Sequence, residues 1–294
     1  MKNEMTLGNG NNGPTGLIHS LTATSDLALK NVFIAKITPV IVVLVLWEIF
    51  VRVFHIRAYI LPSVGAILVK GAELLMTGEL LQDTLFTVFR SVAGILIAVV
   101  IGVAVGFLMA WYRRVGDALD YLVSATYVIP KVAVIPLLVV WFGVDETPKL
   151  VISIVGALYP ILLNTIAGVR SVDTILIKAS RDLRANDWQL FREVILPSAL
   201  PMFFAGLKIG AGVAFILVVA AEMMVANVGL GYLIASSSSI LAVDAVFVGL
   251  VVLGILGTLV FVAVDFVERL VIPWHVKVRK AALEAGRAVR QEIL

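Results

Sequence analysis

Few side chains in this sequence could do chemistry, and the most telling are charges set inside apolar runs. Glu222 stands in VVAAEMM, and Lys131 stands between Pro130 and Pro136 in YVIPKVAVIP. An ionisable group at membrane depth is costly and points to a cavity or a partner. Backbone broken by proline survives within a bilayer only where protein or water satisfies it. Lys131 would thus face a cavity, pair with Glu222 or Asp120, or snorkel to an interface. Glu222 would likewise face a cavity or pair with a lysine or arginine at a helix end. Glu48, in another apolar run, calls for a basic partner from a different segment. Ser236 to Ser239, after Gly229 and Gly231, offer hydroxyls as polar lining or as an external linker.

These groups suit holding and passing a solute. Bond-making machinery is not legible: the chain has no cysteine, and His19, His55 and His275 are dispersed. No G-x-x-x-x-G-K-[ST] nucleotide loop occurs. No catalytic group, metal or cofactor is expected in this chain.

The elements that position these charges must be membrane helices. Of the 294 residues, 61% are hydrophobic and 15% charged, against about 25% charged in soluble domains; mean hydropathy is +1.05. The runs 91–112 and 150–169 carry no charge, and 223–243 and 245–264 are separated by Asp244 alone. About 20 apolar residues span a bilayer. The patterning predicts an all-α integral membrane protein with about six transmembrane helices, near 37–54, 84–110, 121–144, 150–169, 201–224 and 244–266. The third is expected to be broken by Pro130 and Pro136, after a short basic turn, WYRRVGDALD. Arg90 should snorkel from the outer end of the second, whose Gly102 and Gly106 form a G-x-x-x-G. Residues 64–76 read as a surface helix or a connector, and 225–243 as a poorly helical linker or a partly inserted segment. The chain divides into a flexible N-terminal segment, 1–34, a transmembrane domain, 35–270, and a tail, 271–294. No secretory signal is expected.

Six spans place both ends on one side. Lys and Arg concentrate on that side, at Arg113, Arg114, Arg170, Lys178, Arg181, Arg184 and Arg192 and in the tail, which marks it as cytoplasmic. The net charge of +3 is explained by these loops, so the lipid bilayer and no nucleic acid is the expected partner. The polar excursion 171–197 is then cytoplasmic. It reads as two short helices, the second capped by Asn186 or Asp187 with Gln189 completing a capping box, and ended by Pro197. Trp188 and Phe191 lie on its apolar stripe, either as a docking knob within a charged rim or as a face resting on the membrane domain.

At this excursion the sequence resembles a family. KASRDLRANDWQLFREVILP is similar to the EAA loop of ABC importer permeases: Glu-Ala-Ala, three residues, Gly, nine residues, then Ile-x-Leu-Pro. Ala179, Leu196 and Pro197 match, Ser180 and Val194 are mild changes, Lys178 replaces the glutamate and Arg184 the glycine. A non-glycine at that turn costs roughly 1 kcal/mol if the backbone is left-handed. TYVIPKVAVIPLLVVWFGVDETPKL, ALYPILLNTIAGVRSVD, PSALPMFFAGLKIGAGVAFILVVAAEMM, GLGYLI and IPWH resemble the nitrate, taurine and alkanesulfonate branch, over residues 37 to 276.

The resemblance implies a multi-pass permease of the prokaryotic plasma (inner) membrane, paired with a second permease subunit, most simply as a homodimer. It implies a cytoplasmic ABC ATPase dimer, which hydrolyses the ATP, and an external or periplasmic solute-binding protein. Lys178, Ala179, Arg184, Trp188, Phe191, Arg192 and Pro197 are the expected ATPase-coupling residues. Pro130, Lys131, Pro136 and Glu222 are the candidates for the pathway or gate. The expected cargo is a small anion, taurine or another alkanesulfonate, with nitrate, cyanate, bicarbonate and aromatic or pyrimidine-like solutes as alternatives. An ion-driven secondary transporter, a membrane enzyme, and a regulatory protein derived from a permease are the other classes.

Overall fold

The computed structural model describes residues 38–274. The expected flexible segment 1–34 and residues 275–294 of the expected tail lie outside the described residues. Two compact units divide at Ala66 and Ile67.

In the first unit, residues 38–53 are helical (α1) with mostly exposed apolar side chains. The chain then folds back, and the Trp47 indole N–H donates to the Pro62 carbonyl at 3.2 Å. Glu48 finds its cation one turn along its own helix, in Arg52 at 2.6 Å, so the expectation of a partner from another span is corrected. Residues Val64–Met76 form a helix (α2), which from Ile67 onward belongs to the second unit.

The second unit is built on three long helices: α3 (Glu79–Trp111), α6 (Glu146–Arg170) and α8 (Asp187–Val225). Ala98 of α3, Ala157 and Ile161 of α6 and Ala214 of α8 meet in one buried cluster. Small residues permit that approach. A methyl group at Gly106 would lie 2.9 Å from the Leu162 carbonyl oxygen, and one at Gly210 2.9 Å from that of Ala157. Packing of this kind holds helices together where lipid removes the hydrophobic drive.

Between α3 and α6 run α4 (Arg113–Tyr127) and α5 (Lys131–Phe142), bent by 94°. The basic stretch after Trp111 is therefore not a turn: only Tyr112 interrupts the helices, and the arginines open α4. The break falls at Val128 to Pro130, whereas Pro136 sits inside α5. Pro136 thus does not break the span as expected. It is the sixth residue of α5, where its missing N–H costs one helical hydrogen bond but leaves the helix continuous.

After α7 (Thr174–Asp182), α8 runs on past Pro197, which was expected to end it. Leu190–Ile195 form a π-turn in which the Leu196 N–H donates to the Phe191 carbonyl, five residues back. Regular α-helix restarts at Leu196, so Pro197 occupies a first turn, where its missing N–H is tolerated. The segment expected to be poorly helical holds α9 (Leu230–Ser239), whose Leu230, Leu233 and Ile234 are buried. The helix α10 (Val243–Val271) follows.

Four described helices (α3, α6, α8 and α10) are long and apolar enough to cross a membrane, and five if α4 and α5 together make one span. The protein is an all-α, multi-pass membrane protein.

Candidate functional site

Most of the candidate side chains gather in two regions at opposite ends of the long helices. The first is the turn between α7 and α8. Asp173 caps α7, accepting from the Ile175 N–H at 2.8 Å. Asn186 and Gln189 form the reciprocal capping box, with bonds of 2.8 and 3.0 Å. Between them, Arg184 adopts φ +60°. The Ala185 N–H bonds the Ser180 carbonyl and the Arg184 N–H bonds that of Arg181, the hydrogen-bond pattern of a Schellman helix end. The backbone thus keeps the left-handed turn that a glycine would take, with an arginine in it. An ion pair between Arg181 and Asp187 ties the two helices.

The aromatic stripe divides in two. Trp188 is 64% exposed. Phe191 instead packs edge-on against Phe107 of α3, centroids 4.7 Å apart, while touching Trp188 at 5.6 Å. Leu190 and Ile195 are buried with Val172, against Phe107 and Trp111. Phe191 is therefore a seat of the turn on the membrane helices, and Trp188 is its free knob. Lys178, Ala179 and Arg192 are exposed and Pro197 is half-buried.

The second region lies where α3 begins and α8 ends. Arg90 is fully buried, not snorkelling as expected. Its guanidinium grips Glu146 through two bonds of 2.6 and 2.7 Å, Glu222 at 2.6 Å and the Val228 carbonyl at 2.8 Å. Glu222, also fully buried, accepts from the Thr87 hydroxyl at 2.8 Å and the Gly231 N–H at 3.0 Å. Lys149 adds a bond to Glu146 at 3.1 Å. Thr87 takes the Leu230 N–H at 2.9 Å, and Asp83 takes that of Gly229 at 2.7 Å. A charge that far from water needs such pairing. The outcome is a clasp: side chains of α3, α6 and α8 hold the turn from α8 to α9. Gly229, at φ +128°, lies so close to the Glu222 carboxylate that a Cβ there would be 2.5 Å from its carbon.

The other charges separate from this clasp. Lys131 donates to the Tyr127 carbonyl and sits over the rings of Tyr127 and Tyr159, 4.5 and 4.8 Å from their centroids. It pairs with neither Glu222 nor Asp120, so those two expectations are corrected. Lys208 of α8 bonds Asp265 and, at 2.5 Å, Glu268 of α10. Asp244, in the first turn of α10, accepts from the adjacent Ala245 N–H at 2.9 Å. Sequence reasoning missed Asp83, Thr87, Glu146 and Lys208. Asp83, Thr87 and Arg90 stand at i, i+4 and i+7, one helical face, and that polar stripe in an apolar helix was the available signal. No group of three or more His, Cys, Asp or Glu suited to a metal occurs among the described residues.

The profile of the binding-protein-dependent transport system inner membrane component family matches residues 94–273. The taurine transport system permease protein TauC of Escherichia coli is 32% identical over 243 residues, 81% of this chain and 88% of that protein. The riboflavin transport system permease protein RibX of Chloroflexus aurantiacus is 33% identical over 232 residues, 79% of this chain and 87% of its own. Among solved structures, an inward-facing conformation of the MetNI methionine ABC transporter superposes with a TM-score of 0.55 at 25% identity, covering 67% of this chain and 97% of that one.

Proposed function

The chain belongs to the binding-protein-dependent transport inner-membrane component family, the permease subunits of ABC importers, and we propose that its cargo is taurine or another small alkanesulfonate. As a permease for a small polar solute it is a non-catalytic transport subunit, working with an ATPase and a solute-binding protein. The likeness to TauC supports the sulfonate cargo.

In this reading residues 171–197 face the cytoplasm and dock a dimer of ATPase subunits. Residues 38–53, the bent pair α4 and α5, and the four long helices make six spans with both termini inside. A second copy of the chain completes the pathway. The observation that carries the coupling role is the anchored, capped turn with Trp188 exposed at its tip. Lys178, Arg184 and Arg192 are exposed on the same excursion and add positive charge to it. Force applied there has a continuous route, because α8 runs 39 residues from Asp187 to Val225, roughly 58 Å at 1.5 Å per residue. It starts at the tip and ends at Glu222 in the clasp. Movement of the ATPases would tilt α8 and shift the turn from α8 to α9 at the far side. Lys131, with its ammonium over two tyrosine rings, and the break at Pro130 are proposed to face the path, with Pro136 and Glu222 supporting it.

The test is uptake. Cells lacking their own sulfonate importers and carrying this chain with its ATPase and binding protein should accumulate labelled taurine or ethanesulfonate only while ATP is available. Uptake of nitrate, cyanate or bicarbonate in place of sulfonates would overturn the cargo, and uptake sustained by an ion gradient alone would overturn the mechanism.

A further inference from the structure

A cavity of about 610 Å³ opens beside the clasp. Its walls come from α2, α3, the turn 226–229, α9 and the start of α10, and they carry polar and charged side chains, whereas the groove between α3 and α8 is lined almost wholly by aliphatic and aromatic ones. Its volume suits a small solute. Asp83 and Ser237 line it, together with Gln82, Asn227, Tyr232 and Lys70.

Two of these side chains are left with unused hydrogen-bonding capacity. Asp83 is 7% exposed. One of its carboxylate oxygens accepts from the Gly229 N–H, and the other has no protein partner among the described residues. Ser237 is also 7% exposed, and its hydroxyl has no protein partner among the described residues. A buried carboxylate oxygen with nothing to accept from is costly, and a donor that fills the gap recovers that cost. The charge balance points the same way. Glu79 adds a second carboxylate to the lining, while the one cation, Lys70, is already engaged by Glu73 at 3.0 Å. The cavity is therefore built for a group that is positive and rich in N–H, not for a bare anion.

Its place in the fold gives that preference a use. Asp83 and Phe107 lie on the same uninterrupted helix α3, 24 positions apart, roughly 36 Å at 1.5 Å per residue. That distance exceeds the hydrocarbon thickness of a bilayer, about 30 Å. Phe107 seats the coupling turn, so the cavity opens on the opposite face, where cargo would arrive.

We propose that this cavity binds the ammonium group of the transported solute, with the free oxygen of Asp83 as acceptor and the Ser237 hydroxyl beside it. This rests on the importer reading and narrows it: an aminosulfonate such as taurine fits, whereas a simple alkanesulfonate, nitrate, cyanate or bicarbonate lacks the group that Asp83 awaits.

The permease itself must be tested apart from any binding protein, because that partner imposes its own selection. The full-length chain with its ATPase is placed in lipid nanodiscs and titrated with taurine, ethanolamine and methionine. Ethanesulfonate, the deaminated counterpart of taurine, serves as the control. The expected result is at least tenfold tighter binding of taurine than of ethanesulfonate. Asp83→Asn keeps an oxygen for the Gly229 N–H but loses the charge, and should abolish that discrimination without lowering the melting temperature. Ser237→Ala should weaken taurine binding about threefold. Failure of all three amines to bind, equal binding of taurine and ethanesulfonate, or discrimination that survives in a folded D83N variant would each overturn the proposal. The importer reading fails separately, by loss of ATP-dependent uptake.

Discussion

Replacing Arg90 by methionine should destabilise the protein far more than replacing Glu222, although the two face each other at 2.6 Å. The reason is what each leaves behind. Without Arg90, the fully buried Glu222 carboxylate keeps only the Thr87 hydroxyl and the Gly231 N–H, while Glu146 retains Lys149. Breaking a buried pair in this way costs about 3–5 kcal/mol, because a charge stays buried without its counter-charge. Without Glu222, Arg90 still holds Glu146 through two bonds and the Val228 carbonyl through a third. The loss is then that of the neutral donors of Thr87 and Gly231, about 1–3 kcal/mol. The double variant R90M/E222M removes both charges and fills their space with apolar atoms, so it should be more stable than the sum of the single losses by about 2 kcal/mol or more. Unfolding in mixed micelles, followed by the fluorescence of the five tryptophans, supplies the three free energies. Equal losses for the two single variants, adding up in the double, would show that the clasp does not work as a coupled pair.

Further outcomes follow from the same structure. Phe191→Ala should cost about 1–3 kcal/mol of stability, since a half-buried ring leaves Phe107 uncovered, whereas Trp188→Ala should leave the unfolding free energy unchanged within error. Arg184→Gly should stabilise the turn by about 1 kcal/mol, because φ +60° strains any residue with a Cβ; an unchanged or lower melting temperature would place the strain elsewhere. Lys131→Met should slow solute uptake several-fold while the ATPase still copurifies, and unaltered uptake would remove Lys131 from the path.

The four long apolar helices and the local chemistry of the excursion were legible because they are written in short-range signals. Apolar runs of about 20 residues and the cap at Asn186 with Gln189 need only near neighbours in sequence. The errors arose where distant partners decide. Pro197 looks like a helix stop unless the π-turn before it is known, and that turn is set by Leu190 and Ile195 packing on α3. Arg90 looks like an interfacial arginine until Glu146 and Glu222, 56 and 132 positions away, are brought to it. Phe191 and Trp188 share one stripe in sequence, but Phe107 claims only the first. Arg184 shows the converse. The departure from glycine was plain in sequence, yet only the hydrogen bonds of Arg184 and Ala185 reveal that the turn is kept.

An ATPase is proposed to grip this permease at the turn tipped by Trp188. Gentle purification of the tagged wild-type protein and of its Trp188→Ala variant from native membranes tests it most directly. A stoichiometric ATPase should accompany the wild type, and a depleted one the equally stable variant. An intact wild-type protein that brings no ATPase, or a variant that retains it in full, would contradict the claim.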